Sequence, residues 1–259
     1  MNQAVSDVAY HQYRSGQWTQ IKANIISEQP LSLTVNGETW LTFMCTPTYL
    51  EALCIGFLNN ENIIQSMDEI ASIRVCPEGD NVDVWLNHKA ERPKNWRRTS
   101  GCTGGFSSVE LDNYKGPVSN QSTIEPQSVS RLIGKLFDTQ DLYREVGGVH
   151  SSALCDGEDI LITADDIGRH NTLDKIAGLM LLDHLDPSFT ILITTGRVSS
   201  EMIQKSYHMG ASMVISRTSA SSLSIKLADR WGITLIGYAR RDHFNIYTHS
   251  ERIVSAPAA

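Results

Sequence analysis

Apolar and polar positions alternate over Leu31-Ser-Leu-Thr-Val35, and a second apolar-rich run extends from Thr39 to Met44, which predicts two strands. The Asn36-Gly37 pair between them predicts a tight hairpin, because both residues tolerate positive φ. Thr46-Pro47 then reads as a helix start, with threonine as cap and proline in the first turn. Leu50, Leu53, Cys54, Phe57 and Leu58 fall at i, i+3, i+4, i+7 and i+8, the apolar stripe of one helix. A second hairpin is predicted from Ile70 to Leu86, turning at Pro77-Glu-Gly-Asp80. Residues 1–24 show no such pattern and read as a flexible leader. From Asn87 to about Glu125 the pattern dissolves, and a loop of that length inside a compact chain is functional or disordered. It is the segment expected to be mobile.

Order returns with a helix predicted from about Pro126 to Leu142. Strands are then expected at Ile160 to Thr163, Phe189 to Thr194, Ser212 to Ser216 and Ile233 to Tyr238. Between them lie helical patterns: one capped by Asp165-Asp166 and carrying Leu173, Ile176, Ala177, Met180 and Leu181, one from Ser199 to Met209, and one from Ser219 to Arg230. Strands separated by helix-length segments imply βαβ units and a largely parallel sheet. The expected fold is therefore α/β, with a sheet sandwiched by helices over residues 126–259. A β-rich part with one helix and the mobile loop precedes it over residues 25–125. In such sheets ligands gather at the carboxyl ends of the strands, which selects the loops 164–170, 195–199, 216–221 and 238–245.

Composition narrows the classes. The net charge of −7 over 259 residues disfavours non-specific nucleic-acid binding, which needs a broad basic face. No stretch is apolar for long enough to span a bilayer, and the first twenty residues lack a secretory apolar segment, so a cytoplasmic protein is expected. Cys45, Cys54, Cys76, Cys102 and Cys155 are odd in number and widely spread, which suits reduced thiols and gives no zinc-type pair. No metal ligands are predicted.

Cys102 is the candidate for reactive chemistry. It sits among small residues in Ser100-Gly-Cys-Thr-Gly-Gly105, with Arg97 and Arg98 just upstream to favour a thiolate. The alternative is a small buried hydrophobe, which fits Cys54 on its helix face and also Cys45. The strand-end loops share another theme. Arg169 and His170 open one helix, Gly196 and Arg197 precede another, Arg217 follows a strand, and Tyr238-Ala239-Arg240-Arg241-Asp242-His243 closes the set. Helix N-termini and arginines together suit phosphate groups. Taken singly, each loop reads better as capping plus a solvated arginine; four on one sheet edge favour a polyanion pocket. His150 reads either as a pocket residue or as a satisfied histidine beside a strand.

Several segments together resemble the FdhD family of formate dehydrogenase accessory sulfurtransferases: Glu28 to Gly37, Met44-Cys-Thr-Pro47 with Leu53 to Phe57, Asp165 to Lys175, Thr195 to Met202, and Gly237 to Arg252. The resemblance implies a sulfurtransferase that takes sulfur from a cysteine desulfurase as a persulfide on Cys102. The sulfur would pass to the molybdenum of a bis-molybdopterin guanine dinucleotide cofactor, for insertion into formate dehydrogenase. It also implies a fold similar to cytidine deaminases, an α/β sandwich around a mixed sheet, with a guanine dinucleotide-type ligand at residues 238–243, and a homodimer. One departure stands out: many family members carry Cys-x-x-Cys in the loop, and here Gly105 replaces the second cysteine. A one-cysteine relay is therefore expected. The alternatives are a non-catalytic molybdenum cofactor chaperone and a zinc nucleoside deaminase; the latter lacks the glutamate and the paired cysteines of its zinc motif.

Overall fold

The computed structural model describes residues 4–93, 96–98, 106–108, 116–119, 122–185 and 190–254. Where the sequence reads as a leader, the chain instead forms an antiparallel hairpin, β1 (Val5–Arg14) and β2 (Gln17–Ile26), turned by Ser15 and Gly16 at φ of 50° and 85°. Both faces of this hairpin are largely exposed, so it lacks the buried alternation that marks a strand.

The next two strands follow their sequence pattern. β3 (Gln29–Val35) pairs antiparallel with β4 (Glu38–Cys45) around Asn36 and Gly37, whose φ values of 50° and 83° are those of a type I′ turn. α1 (Leu50–Asn60) is entered through Tyr49 in the left-handed region, and not through a Thr46 cap. β5 (Ile70–Val75) and β6 (Asn81–Leu86) form the second predicted hairpin, and β6 runs parallel to β3. The resulting sheet has the order β4-β3-β6-β5 and buries Leu31, Leu33, Trp40, Phe43, Val82 and Val84 against Leu53, Phe57 and Leu58 of α1. Within the long loop the short strands β7 (Trp96–Arg98) and β8 (Phe106–Ser108) pair antiparallel.

The predicted helix at 126–142 is two helices, α2 (Pro126–Asp138) and α3 (Asp141–Val146). The second half then runs β9 (His150–Cys155), β10 (Ile160–Asp166), α4 (Arg169–Leu182), β11 (Ile191–Thr194), α5 (Ser200–His208), β12 (Met213–Ser216), α6 (Ser222–Arg230), β13 (Thr234–Gly237) and β14 (Asn245–Ile246). Its sheet has the order β10-β9-β11-β12-β13-β14. Only β11, β12 and β13 are mutually parallel neighbours; β9 is antiparallel to both β10 and β11, and β14 to β13. The sheet is thus mixed. Because β10 and β11 both oppose β9, the carboxyl ends of β10, β11, β12 and β13 share one edge, together with the start of β9. Helices α4, α5 and α6 cover one face through Leu173, Ile176, Met202, Ile203 and Leu227, and α2 covers the other through Val129, Leu132, Ile133 and Leu136.

The two parts meet where α1 crosses α4. A Cβ built on Gly56 would lie 1.7 Å from the Asp174 carbonyl oxygen, and one on Gly178 would lie 1.9 Å from that of Ala52. Only glycine permits this backbone contact. No helix among the described residues is long and apolar enough to cross a membrane.

Candidate functional site at the sheet edge

Three of the predicted strand-end loops, 195–199, 216–221 and 238–245, are stitched to one another and to the start of β9 by main-chain bonds. Thr195 N donates to Ser151 O (2.9 Å), Arg217 N to Thr194 O (3.0 Å), Val198 N to Ser219 O (3.0 Å), Tyr238 N to Thr218 O (2.9 Å) and Ala239 N to Ser216 O (2.9 Å). Ser216 Oγ adds a bond to Gly196 O at 2.7 Å. Four segments far apart in sequence therefore form one continuous rim.

Behind the rim, the start of α4 is fixed by a buried carboxylate. Asp166 ends β10 and does not cap the helix as the sequence suggested; Gly168 holds that position. Asp166 Oδ1 accepts from Gly168 N (2.7 Å) and Asn171 Nδ2 (2.8 Å). Its Oδ2 accepts from Thr46 N (3.1 Å) and pairs with Lys175 Nζ (2.7 Å), and neither side chain of that pair is exposed. Lys175 Nζ also donates to Thr46 O (3.0 Å), Thr48 Oγ1 (3.1 Å) and Asp165 O (3.1 Å). Thr46 is thus a tertiary anchor between the two parts of the chain. Removing one partner of such a pair strands a buried charge.

A second buried cluster lies one turn further along α4. Asp174 Oδ1 receives Lys205 Nζ (2.7 Å) and Asn60 Nδ2 (2.8 Å), and Glu61 stands 3.9 Å from the same ammonium. Burial by itself would lower the Lys205 pKa, but the Asp174 and Glu61 carboxylates overcome it and raise the pKa above its usual value. Neither cluster has a local signal in the sequence, since the partners lie far apart in the chain.

On the rim, Arg169 and His170 occupy the first turn of α4, only 7% and 4% exposed. Gly196 makes room for them: a Cβ there would lie 2.9 Å from Arg169 Cβ and 3.5 Å from His150 Nδ1. The Arg169 Nε atom is buried without a hydrogen-bond partner. His170 Nε2 lies 3.1 Å from Glu201 Oε2 and 3.3 Å from Ser199 Oγ. Burial, followed by the charges of Arg169 and Lys205, lowers the His170 pKa to about 3. Glu201 pulls the other way, yet a desolvated ring among cationic neighbours stays neutral, so Nε2–H donates to the carboxylate. A neutral ring offers a phosphate no charge. Burial, with Arg169 and Arg197 nearby, also lowers the His150 pKa.

The remaining arginines have separate employments. Arg197 is exposed beside Gly196. The Arg217 guanidinium lies over the Phe137 ring, 5.1 Å from its centroid. Arg240 donates from one terminal nitrogen to the carbonyls of Arg217 (2.5 Å) and Ala239 (2.8 Å), bracing the loop from within. Arg241 faces Asp138 at 3.5 Å on the surface, and Asp242 bonds His243 at 2.9 Å, also exposed. Tyr238 is exposed with φ of 53°, while Ala239 is buried. Arg169 and Arg197 adjoin His150 and Gly196, whereas Arg217 and Arg241 turn toward α2.

Cys102 and Gly105 lie outside the described residues. The other cysteines divide clearly. Cys45, Cys54 and Cys155 are buried, and burial pushes the thiols of Cys45 and Cys155 up to about 12 and that of Cys54 well above its ordinary value. Cys76 is half-buried and donates to Asp80 Oδ1 at 2.9 Å. Among the described residues, the grouping of metal-type ligands is Cys76, Glu78 and Asp80 on the β5–β6 turn, apart from the strand ends where a deaminase would hold zinc.

The structure thus sets a mixed α/β sheet against a rim built from loops distant in sequence, and comparison with known proteins supplies its family. The profile of the FdhD/NarQ family matches residues 26–254, and the chain belongs to that family. It is 37% identical over 249 residues to the sulfur carrier protein FdhD of Bacillus pumilus (strain SAFR-032), covering 94% of this chain and 95% of that one. It is 34% identical over 257 residues to the sulfur carrier protein FdhD of Bacillus subtilis (strain 168), covering 96% and 97%. Among solved structures it resembles a chain from Desulfotalea psychrophila described as a formate dehydrogenase accessory protein, with a TM-score of 0.84, 27% identity, and coverage of 97% of this chain and 100% of that one.

Proposed function

We propose that this chain is a sulfur carrier for a formate dehydrogenase, and that Cys102 carries the sulfur as a persulfide taken from a cysteine desulfurase. The Cys102 thiolate attacks the terminal sulfur of the donor's persulfide. A new S–S bond forms on Cys102 as the donor's S–S bond breaks, and the donor leaves as a thiolate. The acceptor is the molybdenum of a bis-molybdopterin guanine dinucleotide cofactor held at the sheet edge. The sulfur becomes sulfide there by taking two electrons from the reduced metal, and Cys102 is released as a thiolate. The cofactor is cargo. Its phosphates would meet Arg169 and Arg197 beside Gly196, with the main chain of residues 238–243 as a second wall. The homodimer, the cytoplasmic location and the likeness of the layered sheet to cytidine deaminases belong to the same proposal.

One observation carries the assignment within the chain. Three of the five cysteines are buried with raised thiol pKa values, so they present almost no thiolate at neutral pH. Cys102 and Cys76 remain, and only Cys102 has the glycine-rich setting and upstream arginines that suit a sulfur acceptor. The test is persulfide-selective labelling after incubation with a cysteine desulfurase and cysteine. Cys76→Ser is expected to label like the wild type, and Cys102→Ser not at all. Full labelling of Cys102→Ser refutes the carrier assignment. An unlabelled wild type that still binds the cofactor identifies a chaperone instead.

A further inference from the structure

The β1–β2 hairpin is not used by the proposed function, and its construction is unusual for a terminal segment. It is a sheet of only two strands, with ten consecutive pairs and no register shift, whereas the β3–β4, β5–β6 and β9–β10 ladders all carry one. Its base is tied to the body by Asn24 Nδ2, which donates to Glu145 Oε1 at 2.8 Å. Beyond that point Tyr10, Tyr13 and Trp18 are 39%, 61% and 69% exposed, and Ile25 at the base is 42% exposed. A two-stranded ribbon alone in water is marginally stable, and three or more strands are needed for independent stability. β1 contains no proline, lysine or bulge, and its charged residues are Asp7 and Arg14 alone.

The pairing pattern shows which groups that edge offers. Ser15 and Gly16 form a two-residue turn, so its flanking pair, Arg14 and Gln17, bonds inward, and residues alternate from there. The inward bond from Ser27 N to Ala4 O (2.9 Å) at the far end keeps the same alternation. Val5, Asp7, Ala9, His11 and Tyr13 therefore point their N–H and C=O groups outward.

We propose that the outer edge of β1 pairs antiparallel with the same edge of a second copy of this chain, merging two hairpins into one four-stranded ribbon about a two-fold axis at Ala9. In that register each Asp7 stands opposite the other copy's His11, and each Val5 opposite its Tyr13. On the opposite face Val8 meets the other copy's Tyr10. The Asp–His hydrogen-bonding match and the apolar match each occur twice by symmetry, which is what selects a second copy over an unrelated strand. The inference rests on the homodimer proposed above and supplies its interface.

Ala9→Pro tests it directly, because it removes an outward N–H and no bond within the hairpin. Light scattering on the eluting full chain at micromolar concentration is expected to give twice the chain mass of 28.8 kDa for the wild type and 28.8 kDa for Ala9→Pro. Asp7→Lys is expected to lower the dimer fraction at least tenfold, and Asp7→Lys combined with His11→Asp to restore it. A dimeric Ala9→Pro, or a double variant that stays monomeric, overturns the interface. A monomeric wild type overturns the dimer itself. Persulfide labelling of Cys102 on the same samples reports the carrier role separately, so either reading can fail without the other.

Discussion

Whether an ionisable side chain has a partner decides what it does at the sheet edge. His170 is held neutral, with its folded pKa depressed to about 3 from 6.5. A depressed pKa contributes stability above the unfolded value, and that contribution is lost as pH falls from about 6.5 toward 3. By pH 5 the loss is on the order of 2 kcal/mol, since the ring is 5% exposed and little screened. His170→Gln is therefore expected to flatten the decline in urea midpoint between pH 7 and pH 5. An unchanged decline would show a ring that is already charged in the folded chain. Some of this site was legible in the sequence. Arg169, Gly196 and Arg197 could be placed at strand ends because each follows an apolar run and opens a helix, which are local facts. That Arg240 is engaged by two carbonyls, and Arg217 by Phe137, was not legible, because those partners come from other loops.

Among the secondary elements, the α1–α4 crossing sets the position of the first turn of α4. With Gly56 and Gly178 back to back, a single methyl group has nowhere to go. Gly56→Ala is expected to destabilise the chain by about 3 kcal/mol, read as a lower urea midpoint, and to weaken ligand binding by displacing Arg169. An unchanged midpoint would mean that the helices separate freely. The elements that sequence patterning recovers are those whose cause is local: the turn at Asn36-Gly37 and the stripe of α1. Thr46 was misread because its N–H and C=O are claimed by Asp166 and Lys175, and its hydroxyl accepts from the N–H of Ile167. β1 and β2 were missed because no buried face imposes alternation on them. β9 was missed because its run Ser151-Ser152-Ala153-Leu154-Cys155 is buried on both faces and has no β-branched residue.

Taken as a whole, the chain has a β-rich core around Trp40 and a layered core that includes Trp231, both nearly inaccessible to solvent. Hydrogen bonds from Thr46 to Asp166, from Lys175 to Thr46 and from Asn60 to Asp174, with the glycine crossing, bind these cores together, so neither can open without leaving buried polar groups unpaired. The two indole N–H resonances, followed by NMR through a urea titration, are expected to disappear at one common midpoint. Separate midpoints would mean two independently folding units. Lys175→Met, which leaves Asp166 buried and unpaired, is expected to shift both midpoints together at a cost of about 3–5 kcal/mol.

Sealing Cys45, Cys54 and Cys155 inside these cores has a bearing on fidelity. Under the proposed carrier role, folding itself decides how many places on the chain can accept an activated sulfur atom. A partly opened molecule would expose extra acceptors away from the proposed carrier thiol, and sulfur captured there would be a dead-end adduct. Rigid closure around those three thiols would then act as quality control over the proposed cargo.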